Sequence, residues 1–333
     1  MQQHRIEIIL RAQEPIAHAE GTIGNSQVAM RRKVRLPSGR WTKVPYVTGD
    51  TMRHGLREAG TYALLEAAGL LHEGPALTEA ALRLLFSGGM VLGAAGDVVK
   101  IDEARAFREM LPHISLLGGC VGNRIEPGKI EVRDAMLICD EWLHLTPRWM
   151  IDWMTAEGVE SSGAREHLEM VQRVRMDPSL DPKKRLLLSS GEEANVQTRL
   201  LASEAASARD DDAGKDRAKS TMMPFSYETI AAGSMFSWGI DCVTHTQIEH
   251  DTLWVMLAAF LARARVGGKK GTGHGLLVPV IARGMDREIV ATTPDMDALD
   301  VTGDARAPEL QRYVAHVQAR KAEIRAALDK VIA

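Results

Sequence analysis

Residues 246–265, TQIEHDTLWVMLAAFLARAR, read as a helix that is apolar nearly all round, and such a helix must be well buried. Whatever the chain folds into has to wrap this segment. The stretch before it, GSMFSWGIDCVTH (233–245), has strand character, and after the glycine-rich VGGKKGTGHG the chain enters another strand, LLVPVIAR (276–283). A strand, a helix and a strand therefore follow one another in the C-terminal half.

The N-terminal half carries a matching series. RIEIILRAQE (5–14) alternates, with Ile6, Ile8 and Leu10 on one side. Helix 49–68 has Met52, Leu56, Ala59, Ala63 and Ala67 at three- and four-residue steps and stops at Gly69. GKIEVRDAMLICDE (128–141) alternates Ile130, Val132, Ala135 and Leu137, with a bulge expected near Asp134. In sequence, strand, helix, strand, strand, helix, strand is the split βαβ order. The expected class is α+β, with a ferredoxin-like (RRM-like) βαββαβ core.

Two large insertions interrupt that core. Residues 70–128 hold helical runs near 77–86 and 102–111, and residues 142–222 hold helices expected at 147–157 and 164–175 before a polar stretch. The core itself is then divided among 1–69, 129–141 and 223–285, and a tail, 286–333, ends in one amphipathic helix. Within 1–69, NSQVAMRRKVRLPSGRWTKVPYV reads as a long hairpin about Pro37-Ser38-Gly39, and its charged side must face solvent or a ligand.

The net charge is −3, which argues against a protein that coats nucleic acid with its whole surface. Distribution says more. Positive charge gathers at 31–43, 172–185 and 262–270, compatible with a basic groove on an acidic body. Cys120, Cys139 and Cys242 lie far apart with no CxxC pair, so neither a disulfide framework nor a cysteine zinc site is expected. The only apolar run near the N-terminus contains charge and no later run reaches the length of a membrane span, so a cytoplasmic protein without membrane contact is expected.

The glycine run 267–275 leaves a helix and opens a strand, the reverse of a Walker or Rossmann loop, and its spacing matches neither. Its glycines, Gly271 and Gly273 among them, let a polymer backbone come close, and Lys269 and Lys270 supply charge. His245, Glu249 and His250 match no metal-ligand motif, and no GxSxG elbow is present. No cofactor, metal or catalytic group is expected. The start of helix 49–68 suggests an anion site instead: Gly49, Asp50 and Thr51 open it, and Arg53, His54 and Arg57 follow within two turns.

VPYVTGDTMRHGLR (44–57) resembles the signature of the CRISPR-associated RAMP superfamily, commonly Val-Pro-Tyr-Ile-Pro-Gly-Ser-Ser, an aliphatic residue, Lys, two small residues, Leu and Arg. Thr48 stands in place of a usual proline and Asp50 in place of a usual serine, and both cap helices. GKIEVRDA, ETIAAGSMF and GGKKGTGHG are similar to three further elements of that superfamily, in its order. Length and insertions look most like the Cas-seven-type backbone subunit, in its type IV form.

The resemblance implies a palm on the ferredoxin-like core (1–69, 129–141, 223–285), a helical finger (70–128) and a thumb (142–222). It implies a non-catalytic, antiviral-defence protein that binds guide RNA (crRNA) and joins copies of itself head to tail in a helical ribonucleoprotein. The other partners are further CRISPR effector subunits, and target DNA or RNA reached through the guide. The RNA contacts it implies are Arg31, Arg32, Arg35, Gly49, Asp50, Thr51, Arg53, His54, Arg57, Lys269, Lys270, Gly271 and Gly273 in the palm, and Lys183, Lys184 and Arg185 in the thumb beside the apolar run at 186–188. Two other readings compete: an RNA endonuclease of the same superfamily, using Glu20 with a metal or a histidine such as His18 or His54, and a nucleotide-binding enzyme using loop 267–275.

Overall fold

The alternating N-terminal run becomes β1 (Gln2–Ala12), with Ile6, Ile8 and Leu10 buried. It is a central strand of the main sheet, antiparallel to β12 (Met235–Thr244) on one side and to β13 (Leu277–Gly284) on the other. A computed structural model of the chain describes residues 1–23, 26–72, 77–89, 101–121, 124–175, 182–207, 223–284, 288–289 and 307–329. They divide into two compact units, one of Met1–Glu20, Ala29–Glu169 and Thr229–Ala333, the other of Gly21–Val28 and Met170–Glu228. The class is α+β.

In the first unit β12 also pairs antiparallel with β8 (Ile130–Val132) and β9 (Ala135–Leu137). The single strand expected over 128–141 is thus two short ones. Val132 faces Ile240 and Met136 faces Ser237, four steps on one strand against three on the other, so one residue bulges out at the Asp134 turn. Beyond β9 come β5 (Trp41–Val47) and, at the edge, β4 (Arg31–Arg35), the two arms of the basic hairpin. At the other edge lies β14 (Glu288–Ile289).

Two helices cover this sheet, α1 (Gly49–Ala67) and α8 (Gln247–Ala262), and Met52, Leu56, Leu253 and Leu257 are fully buried between them and β1 and β12. The apolar helix is buried as its composition requires. Glu249, near its start, accepts hydrogen bonds from Ser115 Oγ at 2.7 Å and the His245 amide at 2.8 Å and pairs with Lys129. Burial alone would raise its pKa, but these donors outweigh that and hold it lowered, so Glu249 is a helix-start anchor.

A second apolar cluster joins α1 to α2 (Glu79–Ser87), α4 (Pro112–Leu117), α9 (Ala307–Ala319) and α10 (Lys321–Asp329). The tail is therefore two helices broken at Arg320, not one. Ile324 and Leu328 of the second reach the cluster together with Tyr313 and Val317 of the first, and the break redirects the chain to allow it. α3 (Ile101–Met110) precedes α4, and β6 (Gly119–Val121) with β7 (Arg124–Glu126) forms a short hairpin after it. On the opposite face of the sheet, α5 (Arg148–Ala156) packs Met150 and Met154 on Ile9 and Ile138.

The second unit takes most of a four-stranded sheet in the order β10 (Leu168–Arg175), β11 (Met223–Ile230), β3 (Ser26–Ala29), β2 (Ala19–Ile23), with α6 (Pro182–Arg185) and α7 (Ser190–Ser207) between β10 and β11 in the chain. The helix expected at 164–175 is the strand β10. Pairing with β11 overrides a weak helical periodicity there, because the backbone of an edge segment gains its hydrogen bonds from the neighbouring strand. The first arm of the expected hairpin also divides: β3 pairs in parallel with β11, and Ser26 Oγ lies 2.6 Å from Ser226 Oγ. The polar stretch 208–222 lies outside the described residues.

Candidate nucleic-acid interface

Three segments of the first unit meet at residues 15–18. The Ala17 carbonyl accepts from the Gly268 amide at 2.7 Å and the Pro15 carbonyl from the Gly275 amide at 2.9 Å, which seats the glycine-rich loop. One residue on, His18 Nε2 accepts from the Thr48 amide at 3.3 Å, and the His18 carbonyl from the Met30 amide at 2.7 Å. The loop, the start of α1 and the entry to the basic hairpin are thereby fixed to one short stretch. Burial lowers the pKa of His18 against the opposing pull of Asp134, and an Nε2 that accepts a backbone hydrogen bond is an unprotonated one.

The loop has a fixed base and an open tip. Arg265 forks onto Glu14 at 2.7 and 2.8 Å and also donates to the His274 carbonyl at 3.2 Å. The arginine lowers the Glu14 pKa. Gly267 has φ +74° and a side chain there would lie 2.5 Å from the Ala17 carbonyl oxygen, so only glycine permits the contact. At the tip, a single 3₁₀ turn Lys270–Thr272, both Gly271 and Gly273 face open space, and Lys270 is exposed while Lys269, at φ 58°, is half-buried.

The helix start behaves differently from the sequence expectation. The Gly49 amide donates to Asp134 Oδ1 at 2.6 Å and the Thr51 amide to Thr48 Oγ1 at 3.3 Å, so the chain itself caps the helix. A side chain at Gly49 would lie 2.5 Å from the Val132 carbonyl oxygen, which is why the β-bulge can press Asp134 against the helix end. Asp50 is exposed and adds a negative charge, and His54 is exposed.

Arg53 and Arg57 are not outward donors. Arg53 bonds the carbonyls of Ile130, at 3.0 Å, and Leu117, and Arg57 Nη2 bonds those of Leu117 at 3.2 Å and Gly118 at 2.9 Å. Helix α4 ends at Leu117 and leaves its last carbonyls without helical partners; the two guanidinium groups satisfy them. Arg57 is only 7% exposed, and burial, with Arg53 alongside, brings its pKa down to about 10. These contacts of Arg53 and Arg57, both among the expected phosphate contacts, tie α1, α4 and β8 together.

The hairpin keeps its charge outside. Arg31 faces Pro45, Lys33 faces Lys43 and Arg35 faces Trp41 across the ladder, so these residues share one face, while Val34 and Val44 are buried from the other. Arg32 belongs to the second face: it pairs with Asp134 and lies 4.9 Å from the Tyr46 ring centroid. Lys33, Lys43 and Trp41 were absent from the expected contacts, although their parity with Arg31 and Arg35 about the Pro37-Ser38-Gly39 turn would have revealed them.

In the second unit Lys183 and Lys184 are exposed on α6, which Arg185 closes. Leu186 and Leu187 follow at 78% and 85% exposure. Among the described residues no group of three His, Cys, Asp or Glu side chains is placed to hold a metal ion, and no helix is long and apolar enough to cross a membrane. Glu20, the acid of the competing endonuclease reading, is exposed in β2.

No family model matches the chain, and no curated protein matches it. A chain of the solved structure described as "Type IV-B CRISPR Complex" does match, with a TM-score of 0.53 at 18% identity, over 89% of this chain and 96% of that one. The likeness is one of fold, and it spans nearly the whole of both chains.

Proposed function

We propose that this protein is a non-catalytic backbone subunit of a type IV CRISPR effector complex, which binds guide RNA along its sugar-phosphate and assembles head to tail on it. Two observations support the reading from the side of fold. The strand order β13-β1-β12-β9, antiparallel throughout with α1 and α8 as the crossovers, is the order expected of a ferredoxin-like core, and the extensive likeness is to a chain of a CRISPR complex.

The observation that carries the reading is the junction at residues 15–18. It fixes an open-tipped glycine loop and the entry to a basic hairpin to one stretch of backbone. Lys269, Lys270 and the small tip residues Gly271 and Gly273 would approach one part of an RNA backbone, and Arg31 and Arg35 another. Charge-assisted contacts of this kind ignore base identity, as a subunit repeated along any guide requires. Lys183 and Lys184 belong to the thumb in this reading, and partners beyond RNA are the neighbouring copy and other effector subunits. Arg53 and Arg57 position the core rather than touch the RNA.

Anisotropy titrations with single-stranded RNAs of unrelated sequence, repeated over a salt series, test this. Affinities should agree across sequences and fall with log salt at a slope of about −0.7 per phosphate neutralised. On longer strands the sedimenting mass should grow in steps of one copy. Sequence-restricted binding, one copy per strand at any length, or magnesium-dependent cleavage lost in Glu20→Ala would each overturn the proposal.

A further inference from the structure

The outer face of the β4–β5 hairpin carries a feature that phosphate binding alone does not require. Residues 31–43 contain six cations, Arg31, Arg32, Lys33, Arg35, Arg40 and Lys43, and no acid. At the turn end of the face that Arg31, Lys33, Arg35 and Lys43 share, opposite Arg35, stands Trp41, 59% exposed. Lys33 Nζ lies 4.6 Å from its ring centroid and covers one side of the indole, yet most of the residue is still open to solvent.

An edge strand is commonly protected by charge, and the lysines and arginines of β4 would do that unaided. A large exposed indole on the adjoining strand works against such protection. It also contributes nothing to the core, since Val34 and Val44 fill the buried face of the same hairpin. A planar apolar ring surrounded by cations matches one class of ligand well: an unpaired nucleobase whose flanking phosphates meet the surrounding charge.

We infer that Trp41 is a stacking platform for one base of a single-stranded nucleic acid, with Lys33, Arg35 and Lys43 as its phosphate contacts. Stacking on indole is tolerant of sequence because every base presents a π-face, so the platform adds affinity without adding a code. The inference rests on the reading of the protein as an RNA binder and adds to it a site that acts on bases rather than backbone.

Two strands of equal length and charge separate the two ideas: oligouridylate and the same ribose-phosphate chain without bases. Trp41→Thr keeps a β-branched strand former in the hairpin and Trp41→Phe keeps an aromatic ring. Oligouridylate should bind Trp41→Thr about tenfold more weakly than the wild type and Trp41→Phe nearly as well as the wild type, while the baseless strand binds all three alike. Equal weakening on both strands, or none on either, would overturn the platform while leaving backbone binding in place. Unchanged affinity with lost self-association would give the face to a second copy and likewise overturn it. If the wild type bound neither strand, the RNA-binding reading itself would fall.

Discussion

Arg53 and Arg57 on α1 donate inward to main-chain carbonyls, whereas Lys33, Arg35 and Lys43 on the β4–β5 hairpin share a face turned away from the buried valines. Both regions are rich in cations. What separates them is the supply of unmet acceptors nearby. Helix α4 ends against α1 and leaves carbonyls at Leu117 and Gly118 that a guanidinium fork can reach, whereas on the hairpin Lys33 faces Lys43 and Arg35 faces Trp41 across the ladder. An arginine is drawn inward where a buried acceptor would otherwise go unpaired, because leaving a buried carbonyl unmet is itself costly; here Arg57 Nη2 meets two of them while its buried Nη1 has no hydrogen-bond partner.

The largest effect should come from removing the inward group. Arg57→Ala strands the Gly118 carbonyl and half the Leu117 contact, and should lower unfolding stability by about 3 kcal/mol in urea titrations. Protein that remains folded should keep the wild-type dependence of RNA affinity on salt. A flattened salt slope with intact stability would erase the contrast between the two regions.

Neutralising the outward group should do the opposite. Replacing Lys33, Arg35 and Lys43 together with serine should shallow the salt slope by roughly 0.7 for each phosphate lost, or about fivefold in affinity per phosphate near 0.1 M salt. The urea midpoint should hardly move. If instead the midpoint falls as far as it does for Arg57→Ala, the hairpin cations are structural too.

How far each region could be read in advance follows from the same physics. The core strands and both covering helices were legible because apolar periodicity reports burial directly: Ile6, Ile8 and Leu10, or the run Leu253–Leu257, point one way whatever their partners. Charged positions carry no such sign. Arg57 lies one step from Leu56 on the buried side of α1, and nothing local tells that α4 will bring two carbonyls to it across 60 residues of chain. Asp134 was visible as a bulge, but its role as the cap of Gly49 depends on a contact 85 residues away. β10 departs from the helix expected at 164–175 for the reverse reason, since none of its described side chains, 168–173, is buried and they leave little alternation to find.

A smaller effect tests the inward region by pH. His113, wholly buried beside Arg57 with neither ring nitrogen hydrogen-bonded, has a pKa pushed down to about 3 by burial and then by that arginine. The unfolded chain takes up a proton near pH 6.5 that the folded chain refuses. The neutral histidine's contribution is therefore complete above pH 6.5 and is lost as pH falls toward 3, at about 1.4 kcal/mol per pH unit. His113→Leu should remove that part of the acid sensitivity, and unchanged slopes in urea titrations at pH 6 and pH 5 would place the titrating group elsewhere.

The smallest effect on stability belongs to the loop tip, where the outward logic extends from side chains to backbone. A methyl at Gly271 meets nothing within 4 Å, and its φ is not in the left-handed range that would strain it. Gly271→Ala should therefore leave stability unchanged to within about 0.5 kcal/mol, or raise it slightly by restricting the unfolded chain. RNA affinity is the more telling readout. If a sugar-phosphate chain lies against the tip, the added methyl holds it away and weakens binding on oligouridylate and on the baseless strand alike, which Trp41→Thr does not do. An alanine there that changes neither stability nor affinity would remove the tip from the interface and leave the hairpin as its principal surface in the first unit.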